Sequence, residues 1–305
     1  MRMAEHLTRS RCGSRIPHSL FVLAAAAIGC APAEFARPPE LDPDPNDRRL
    51  KRTVAVLAVR DATGRHPATA DAAGDMLLTE LDHTGRFVVV ERGRIADVMR
   101  ERRLDAAGVT TGPQAVEVGK LLGVELLLAV GLTDVQERST AWPWRGRHEV
   151  GVDGRLIETR TGRVVFAGEG RSAAEDGRSA EGSGPPGPVV RAALDDLLVK
   201  MLPRVGGVPW RGMIAAISDA GPYLAGGSQV GYRVGDRFEV VRVEKLIRHP
   251  VTQEILGAEE KRLAGVEVIE VQERVALCRV LDGGDIRVAD GVRRAPPPKA
   301  AAAAK

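Results

Sequence analysis

Residues 53–104 decide the fold, with the sequence TVAVLAVRDATGRHPATADAAGDMLLTELDHTGRFVVVERGRIADVMRERRL. Residues 53–60 are nearly all β-branched or aliphatic, which is typical of a strand covered on both faces. From Asp71, a predicted N-cap, apolar residues recur at helical spacing up to Gly85, which suits a helix C-terminus. Residues 87–90 form a second buried-type strand, and a second helix follows it. This alternation predicts an α/β domain.

The chain after residue 104 continues the same domain. A third predicted helix ends at Gly123 and leads into the remaining elements. These are a buried strand, a hairpin around a glycine-containing turn and a closing helix, at residues 124–135, 148–157 with 163–169, and 189–202. The predicted order is β-α-β-α-α-β-β-β-α, so residues 53–203 are predicted to form a layered α/β domain with a mixed sheet.

A second domain follows a short break in the pattern. Pro203 and the glycines after it predict the end of the closing helix and a linker over residues 204–211. Residues 212–294 have a β pattern with frequent glycines, which predicts a small all-β domain that is either a barrel or a sandwich. The four predicted strands are residues 213–217, 236–246, 263–271 and 274–281. Residues 295–305 are a low-complexity tail that is predicted to be disordered.

The N-terminus has the pattern of a secretory signal. Residues 20–28, LFVLAAAAI, are an apolar run of about half the ~20 residues that a membrane-spanning helix needs, which fits an h-region. The four residues Ala27, Ile28, Gly29 and Cys30 resemble a bacterial lipobox. The resemblance implies that residues 1–29 are a lipoprotein signal peptide. Cleavage then precedes Cys30, whose thiol and new amino group are acylated with fatty acids such as palmitate.

Two other interpretations of this segment stay open. Cleavage could follow Ala33 instead, or the apolar run could be a buried helix that carries an incidental cysteine. Residues 30–52 are rich in proline and charge, and this composition predicts an extended tether between the anchor and the folded body. Ala31 stands after Cys30 where enteric sorting patterns would have Asp to retain a lipoprotein in the inner membrane. By that resemblance, the outer membrane is favoured, with the body facing the periplasm.

The charge distribution argues against a nucleic-acid partner. The formal net charge is +3, and four arginines with one glutamate in residues 1–29 account for all of it. A nucleic-acid-binding protein normally carries a basic stripe with aromatic residues among it. Here acidic and basic residues alternate, and aromatic residues make up 3% of the chain. We therefore predict a solvated, mixed-charge surface.

The sequence holds no recognisable catalytic constellation. A phosphate loop around Gly119 and Lys120 would need Gly at 114 and Ser or Thr at 121, where Gln114 and Leu121 stand. The histidines outside residues 1–29 have no partner at metal-ligand spacing. Cys278 lies in an apparent strand, where a buried inert thiol is predicted. We therefore predict a protein that is not an enzyme and has no cofactor or metal site.

Five segments of the first domain resemble the curli-assembly CsgG family. They are LDHTGRF, VVVER, IADVMRERRL, LLGVELLLAVG and IETRTGRVV, at residues 81–87, 88–92, 95–104, 121–131 and 157–165. The resemblance covers residues 53–203 and implies a role in envelope or secretion assembly at the outer membrane. The family's best-known member is an oligomeric secretion pore, and resemblance to it implies two membrane hairpins in each subunit.

The pore interpretation depends on residues 136–147, QERSTAWPWRGR. Each strand of a membrane hairpin needs about 9–11 residues, and this segment is too short and too charged to supply them. Trp142 and Trp144 are nevertheless candidate membrane-interface residues. The alternative is that the two tryptophans cover an edge of the sheet.

The second domain resembles the C-terminal domain of flagellar assembly protein T. The segments are QVGYRVGDRFEV, HPVTQEILG and AGVEV, at residues 229–240, 249–257 and 264–268. Gln253 stands in a turn where that pattern usually has Gly. The resemblance covers residues 211–293 and implies an envelope interaction module.

Together these features predict a non-enzymatic lipoprotein of the outer membrane that binds or scaffolds an envelope or secretion assembly. Its partners would be the membrane, through acylated Cys30, and proteins of the cell envelope. One alternative is a subunit of a CsgG-type homo-oligomeric secretion pore. Another is a regulator of a cell-wall synthase, because lipoproteins with a similar α/β domain activate such enzymes.

Overall fold

A mixed sheet forms the centre of the first domain. A computed structural model of the protein describes residues 50–90, 95, 112–139, 146–176, 185, 187–251 and 255–295. The lipobox residues Ala27, Ile28, Gly29 and Cys30, the two tryptophans Trp142 and Trp144, most of the second predicted helix and the tail from residue 296 lie outside the described residues.

Six strands make up this sheet. They are β1 (Arg52–Val56), β2 (Arg60–Asp61), β3 (Phe87–Val89), β4 (Leu126–Ser139), β5 (Gly146–Glu158) and β6 (Val164–Asp176). Their order is β3-β1-β4-β5-β6, and β2 pairs with β4. β1 runs parallel to β3 and β4, and β2 runs parallel to β4, whereas β5 is antiparallel to both β4 and β6. The sheet is therefore mixed, as predicted.

Helices cover both faces of this sheet. They are α1 (Pro67–His83), α2 (Gly112–Leu122) and α3 (Gly187–Gly206). In β1, Val54 and Val56 belong to the core that α1 and α3 complete, whereas Ala55 belongs to the core under α2. Alternate side chains of one strand are thus buried on opposite faces, which explains why residues 53–60 have no polar face.

Two helix boundaries differ from the sequence prediction. α1 begins at Pro67 and its N-cap is His66, so Asp71 lies inside the helix. Proline suits the first helical position because its fixed φ fits the helix and no intrahelical bond is lost there. α3 continues through Pro203 to Gly206, where a break is predicted. Leu202 and Val205 flank that proline and are buried in the core, and this packing holds the last turn in place.

The hairpin strands are longer than predicted. β4 and β5 pair from Leu126, opposite Glu158, to Ser139, opposite Gly146, with one shift of register between Leu132 and Asp134. Residues 136–139 are therefore strand, although the sequence analysis places them in a polar stretch. A strand is held by its backbone hydrogen bonds, so polar side chains can belong to it. The residue types alone therefore do not show where β4 ends. Only residues 140–145 are left to connect β4 to β5.

The second domain is a closed six-stranded barrel. Its strands are β7 (Gly212–Ser218), β8 (Gly221–Ala225), β9 (Arg237–Arg248), β10 (Ile255–Val271), β11 (Val275–Gly283) and β12 (Gly291–Arg294). They are antiparallel in the order β10-β11-β8-β7-β12-β9. Phe238, Val240, Val266 and Cys278 are fully buried in its core. The barrel interpretation is thus correct, while β8 and β12 are absent from the sequence prediction.

No helix among the described residues combines the length and the apolar character needed to cross a membrane.

Candidate functional site

Two short segments join the sheet domain to the barrel, and both are fixed by contacts. All the described residues fall within one compact unit, Phe35–Lys305. Ahead of β1, Leu50 is buried in the barrel core, and the backbone N–H of Lys51 donates to the carbonyl of Val230 at 2.9 Å. In the segment after α3, the indole Nε1 of Trp210 donates to the carbonyl of Lys51 at 3.2 Å. The segment before β1 and the linker are therefore bound to each other and to the barrel.

An aromatic cluster supports this junction. The ring of Trp210 lies 5.9 Å from that of Tyr232 and 5.6 Å from that of Phe238, and the last two are 5.4 Å apart. The tilted and edge-on arrangements are those that aromatic quadrupoles favour. The Tyr232 hydroxyl donates to the carbonyl of Ala225 at 3.1 Å. Burial raises the pKa of Tyr232, so the phenol stays neutral.

A buried ion pair lies beside the aromatic cluster. Nη1 of Arg52 is 3.2 Å from Oε2 of Glu125, and the same oxygen accepts the backbone N–H of Arg211 at 3.1 Å. Arg52 also donates to the carbonyls of Val208 and Pro209. The side chains of Arg52 and Glu125 are 10% and 14% exposed. Two residues of the sheet domain thus bind three positions of the linker, Val208, Pro209 and Arg211.

Burial controls the protonation of this pair. Removal from water raises the pKa of Glu125 from 4.5 to about 8, against the opposing influence of Arg52. The nearby charge of Glu158 raises the pKa of Glu125 further. Burial also lowers the pKa of Arg52. Glu125 therefore changes charge near neutral pH, where an ordinary glutamate is fully ionised.

We expect the stability of the protein to fall as the pH rises because of Glu125. Its folded pKa lies above its unfolded value of 4.5, so its contribution is complete below pH 4.5 and is lost as the pH rises through about 8. The free energy of unfolding should fall in that window by up to about 1.4 kcal/mol for each pH unit. Urea denaturation of the full chain at a series of pH values measures this slope.

Two variants make this measurement specific. Glu125→Gln should flatten the pH dependence in the window, because it removes the titrating group and keeps an acceptor for Arg52 and Arg211. Glu149→Gln is the control. Oε1 of Glu149 forms an ion pair with Nε of the exposed Arg147 at 2.9 Å, so this carboxylate is not buried as Glu125 is. A Glu125→Gln slope equal to that of the unmodified chain would show that Glu125 titrates normally.

A second charged cluster centres on Glu260 of β10. Its carboxylate binds Arg160 at 3.2 Å, Arg211 at 3.1 Å and Arg293 at 3.4 Å. Arg160 belongs to the turn between β5 and β6, Arg211 to the linker and Arg293 to β12. The Glu260 side chain is 10% exposed. One carboxylate of the barrel thus joins the sheet domain, the linker and a second barrel strand.

A cavity of about 580 Å³ lies between these two clusters. Its walls come from both domains and the linker, and include Arg52, Glu125, Arg160, Trp210, Arg211 and Tyr232. The volume lies within the range of about 300–1,000 Å³ that small-molecule sites occupy. Nε of Arg160 and both Nε and Nη1 of Arg211 are buried and have no hydrogen-bond acceptor among the described residues.

This site was not predicted from the sequence. Its one local signal is Glu125, a carboxylate within the otherwise apolar run VELLL at residues 124–128. The residues that were singled out from the sequence, Ala27 to Cys30 with Trp142 and Trp144, lie outside the described residues. Cys278 is buried as predicted, and burial raises its thiol pKa to about 12. In the part of the chain that the structure describes, no group of three or more His, Cys, Asp or Glu residues is placed to hold a metal ion.

Comparison with known proteins bears out the family resemblance for part of the chain. Residues 40–141 match the family model of the curli production assembly/transport component CsgG. That segment contains β1 to β4, α1 and α2. The resemblance of residues 211–293 to flagellar assembly protein T stays a prediction.

Individual relatives are distant. An uncharacterised protein of Aquifex aeolicus is 37% identical over 59 residues, which is 19% of this chain and 12% of that protein. The lipoprotein GNA1162 of Neisseria meningitidis shares 14% identity and a TM-score of 0.34, over 52% of this chain and 99% of its own. The PelC dodecamer of Paraburkholderia phytofirmans shares 19% identity and a TM-score of 0.33, over 50% and 88% of the two chains.

Proposed function

We propose, because residues 40–141 match the CsgG family model, that this chain is a non-enzymatic lipoprotein of the bacterial cell envelope. It is anchored in the outer membrane through acylated Cys30 and faces the periplasm. There it binds or scaffolds an envelope or secretion assembly. The family match carries the proposal, since the matching family model is described as an assembly and transport component.

The organisation of the chain supports a tethered body. Between Cys30 and Leu50 an extended chain can reach about 70 Å, so the folded part can contact partners well away from the anchor. Arg52 and Glu125 of the sheet domain bind the linker, Glu260 of the barrel binds Arg160 and the linker, and the aromatic cluster packs the linker on the barrel. Such a body presents its surfaces in a fixed relation, which suits a scaffold.

The family match also favours a second candidate, the pore subunit. Pairing of β4 with β5 reaches Ser139 and Gly146, so the connection at this end has only residues 140–145. Two membrane strands need about 9–11 residues each. This length argument favours the scaffold over a pore that would use this hairpin.

Cross-linking in intact cells tests the scaffold role. We expect the full chain, purified from cross-linked membranes, to carry a reproducible envelope protein as an adduct. Cys30→Ala should reduce the yield of the adduct, because the released chain leaves the membrane surface. Cys12→Ala should leave the yield unchanged, because Cys12 lies within the predicted signal peptide. If the cross-linked protein is a cell-wall synthase, the result would favour the alternative that this chain regulates such an enzyme.

Two results would contradict it. One is that the full chain and Cys30→Ala yield the same cross-linked proteins in the same amounts. The other is purified protein that forms large rings and conducts ions in planar bilayers, which would favour the pore.

A further inference from the structure

We propose that the cavity between the sheet domain and the barrel is a binding site for a small molecule that carries an oxyanion group, a carboxylate or a phosphate, on an apolar body. This goes beyond the proposed function and does not depend on the membrane anchor. The observations that carry it are the volume of the cavity, the chemistry of its walls and three buried donors that lack acceptors.

The size and the walls of the cavity suit such a molecule. A volume of about 580 Å³ holds a small organic ligand. Trp210, Tyr232 and Met213 supply apolar and aromatic surface, and Val241 and Leu246 extend it along the barrel. Apolar walls with a few convergent polar groups are the usual composition of a ligand site. The apolar body of the ligand would contact this surface.

The three unsatisfied donors specify the polar end of the ligand. They belong to two guanidinium groups that line the cavity, as Nε of Arg160 and Nε and Nη1 of Arg211. A buried donor without an acceptor is unfavourable, and more so on a charged group. The carboxylate of Glu260 already binds both arginines through other nitrogens. An acceptor from outside the chain would complete these bonds.

The carboxylates around the cavity do not accept from these three nitrogens. Glu158 accepts from the Thr161 hydroxyl at 2.7 Å and pairs with Nη2 of Arg160 at 3.6 Å, which leaves Nε of Arg160 without an acceptor in the described part of the chain. Asp290 is bound by Arg242, and Glu244 by Lys261. Glu125 binds Arg52 and the backbone of Arg211. Its raised pKa also reduces the negative charge beside the two arginines at neutral pH, which favours an anion there.

Guanidinium groups favour carboxylate and phosphate oxygens over neutral acceptors, because the hydrogen bonds are charge-assisted. Two arginines, one from the sheet domain and one from the linker, would bind one oxyanion from two sides. The ligand would therefore also link the β5–β6 turn, which holds Arg160, to the linker, which holds Arg211.

Titration of the full chain in detergent with benzoate and with phenyl phosphate tests the proposal. Benzyl alcohol, which has the same ring and no anion, is the neutral control. We expect at least one of the anions to bind with a Kd of about 1 mM or below, and benzyl alcohol to bind at least about tenfold more weakly. Tighter binding of benzoate would indicate a carboxylate ligand, and tighter binding of phenyl phosphate would indicate a phosphate ligand. Shifts of the Nε–H signals of Arg160 and Arg211 in NMR spectra locate the bound anion.

Variants separate the site from the charge network around it. Arg160→Gln and Arg211→Gln should each weaken anion binding about tenfold. Arg293→Gln should leave it unchanged, because Arg293 also binds Glu260 but does not line the cavity. Three results would overturn the proposal: no binding of either anion at about 10 mM, equal binding of benzyl alcohol, or an equal loss in Arg293→Gln. If a variant fails to fold, the titrations and the NMR signals of the unmodified chain decide the question.

Discussion

Gly170→Ala should destabilise the sheet domain by about 3 kcal/mol or more, above the usual cost of overpacking. A Cβ at residue 170 would lie 2.1 Å from the carbonyl oxygen of Ala193 and 2.8 Å from both Cβ and the backbone N of Leu197. Two of these three atoms are backbone atoms of α3, so no change of rotamer removes the clash. The helix would have to move away from β6. The free energy of unfolding in urea measures the loss.

Gly154→Ala is the matched control, because Gly154 lies in β5 and faces the same helix. A Cβ at residue 154 would meet only the side chain of Leu197, at 2.7–3.2 Å. Leu197→Ala alone should cost about 2–5 kcal/mol, since Leu197 is fully buried. Combined with Gly154→Ala it should cost less than the sum of the two, because the small side chain removes the clash. Gly170→Ala combined with Leu197→Ala should cost the full sum of the two single losses. If both double variants fell short of their sums by the same amount, that result would contradict this packing.

Glu260→Gln should destabilise the junction by about 3 kcal/mol, the lower end of the range for a broken buried pair. The substitution removes the charge that neutralises Arg160, Arg211 and Arg293. The lower end applies because Arg160 and Arg293 are 33% and 40% exposed, and water partly replaces the lost charge. We also expect proteolysis to cut faster within residues 207–211, because the linker loses one of its fixed contacts.

Glu267→Gln is the matched control in the same strand. Glu267 also binds two arginines, Arg237 at 3.1 Å and Arg279 at 2.6 Å, but these are 63% and 64% exposed. All three residues belong to the barrel, so the junction is not involved. A much smaller loss is expected than for Glu260→Gln. Similar losses and similar proteolysis of the two variants would show that Glu260 does not tie the domains together.

The sheet domain could be predicted because its signals are local. The apolar run at residues 53–60 predicts burial on both faces, and Val54 and Ala55 are indeed buried in different cores. Strand ends were harder to predict, because residues 136–139 are polar and are held in β4 by pairing with β5. β8 was missed since its first residues, Gly221 and Pro222, have the composition of a turn.

The candidate site could not be predicted, because it depends on contacts between distant parts of the chain. Arg52 and Glu125 are 73 residues apart, and Arg160 and Glu260 are 100 residues apart. Each of these residues alone has the pattern of an ordinary surface charge. The cavity forms where the barrel meets the sheet domain, and its walls include residues of both. Glu125 is the exception that a close reading of the strand could have singled out.

The central claim is that Cys30 anchors this body to a membrane, and metabolic labelling tests it most directly. Cells that produce the full chain, Cys30→Ala or Cys12→Ala are grown with radioactive palmitate, and the protein is then isolated and its label is measured. We predict that the full chain and Cys12→Ala are labelled equally and that Cys30→Ala carries no label. A full chain that is labelled no more than Cys30→Ala would contradict the account.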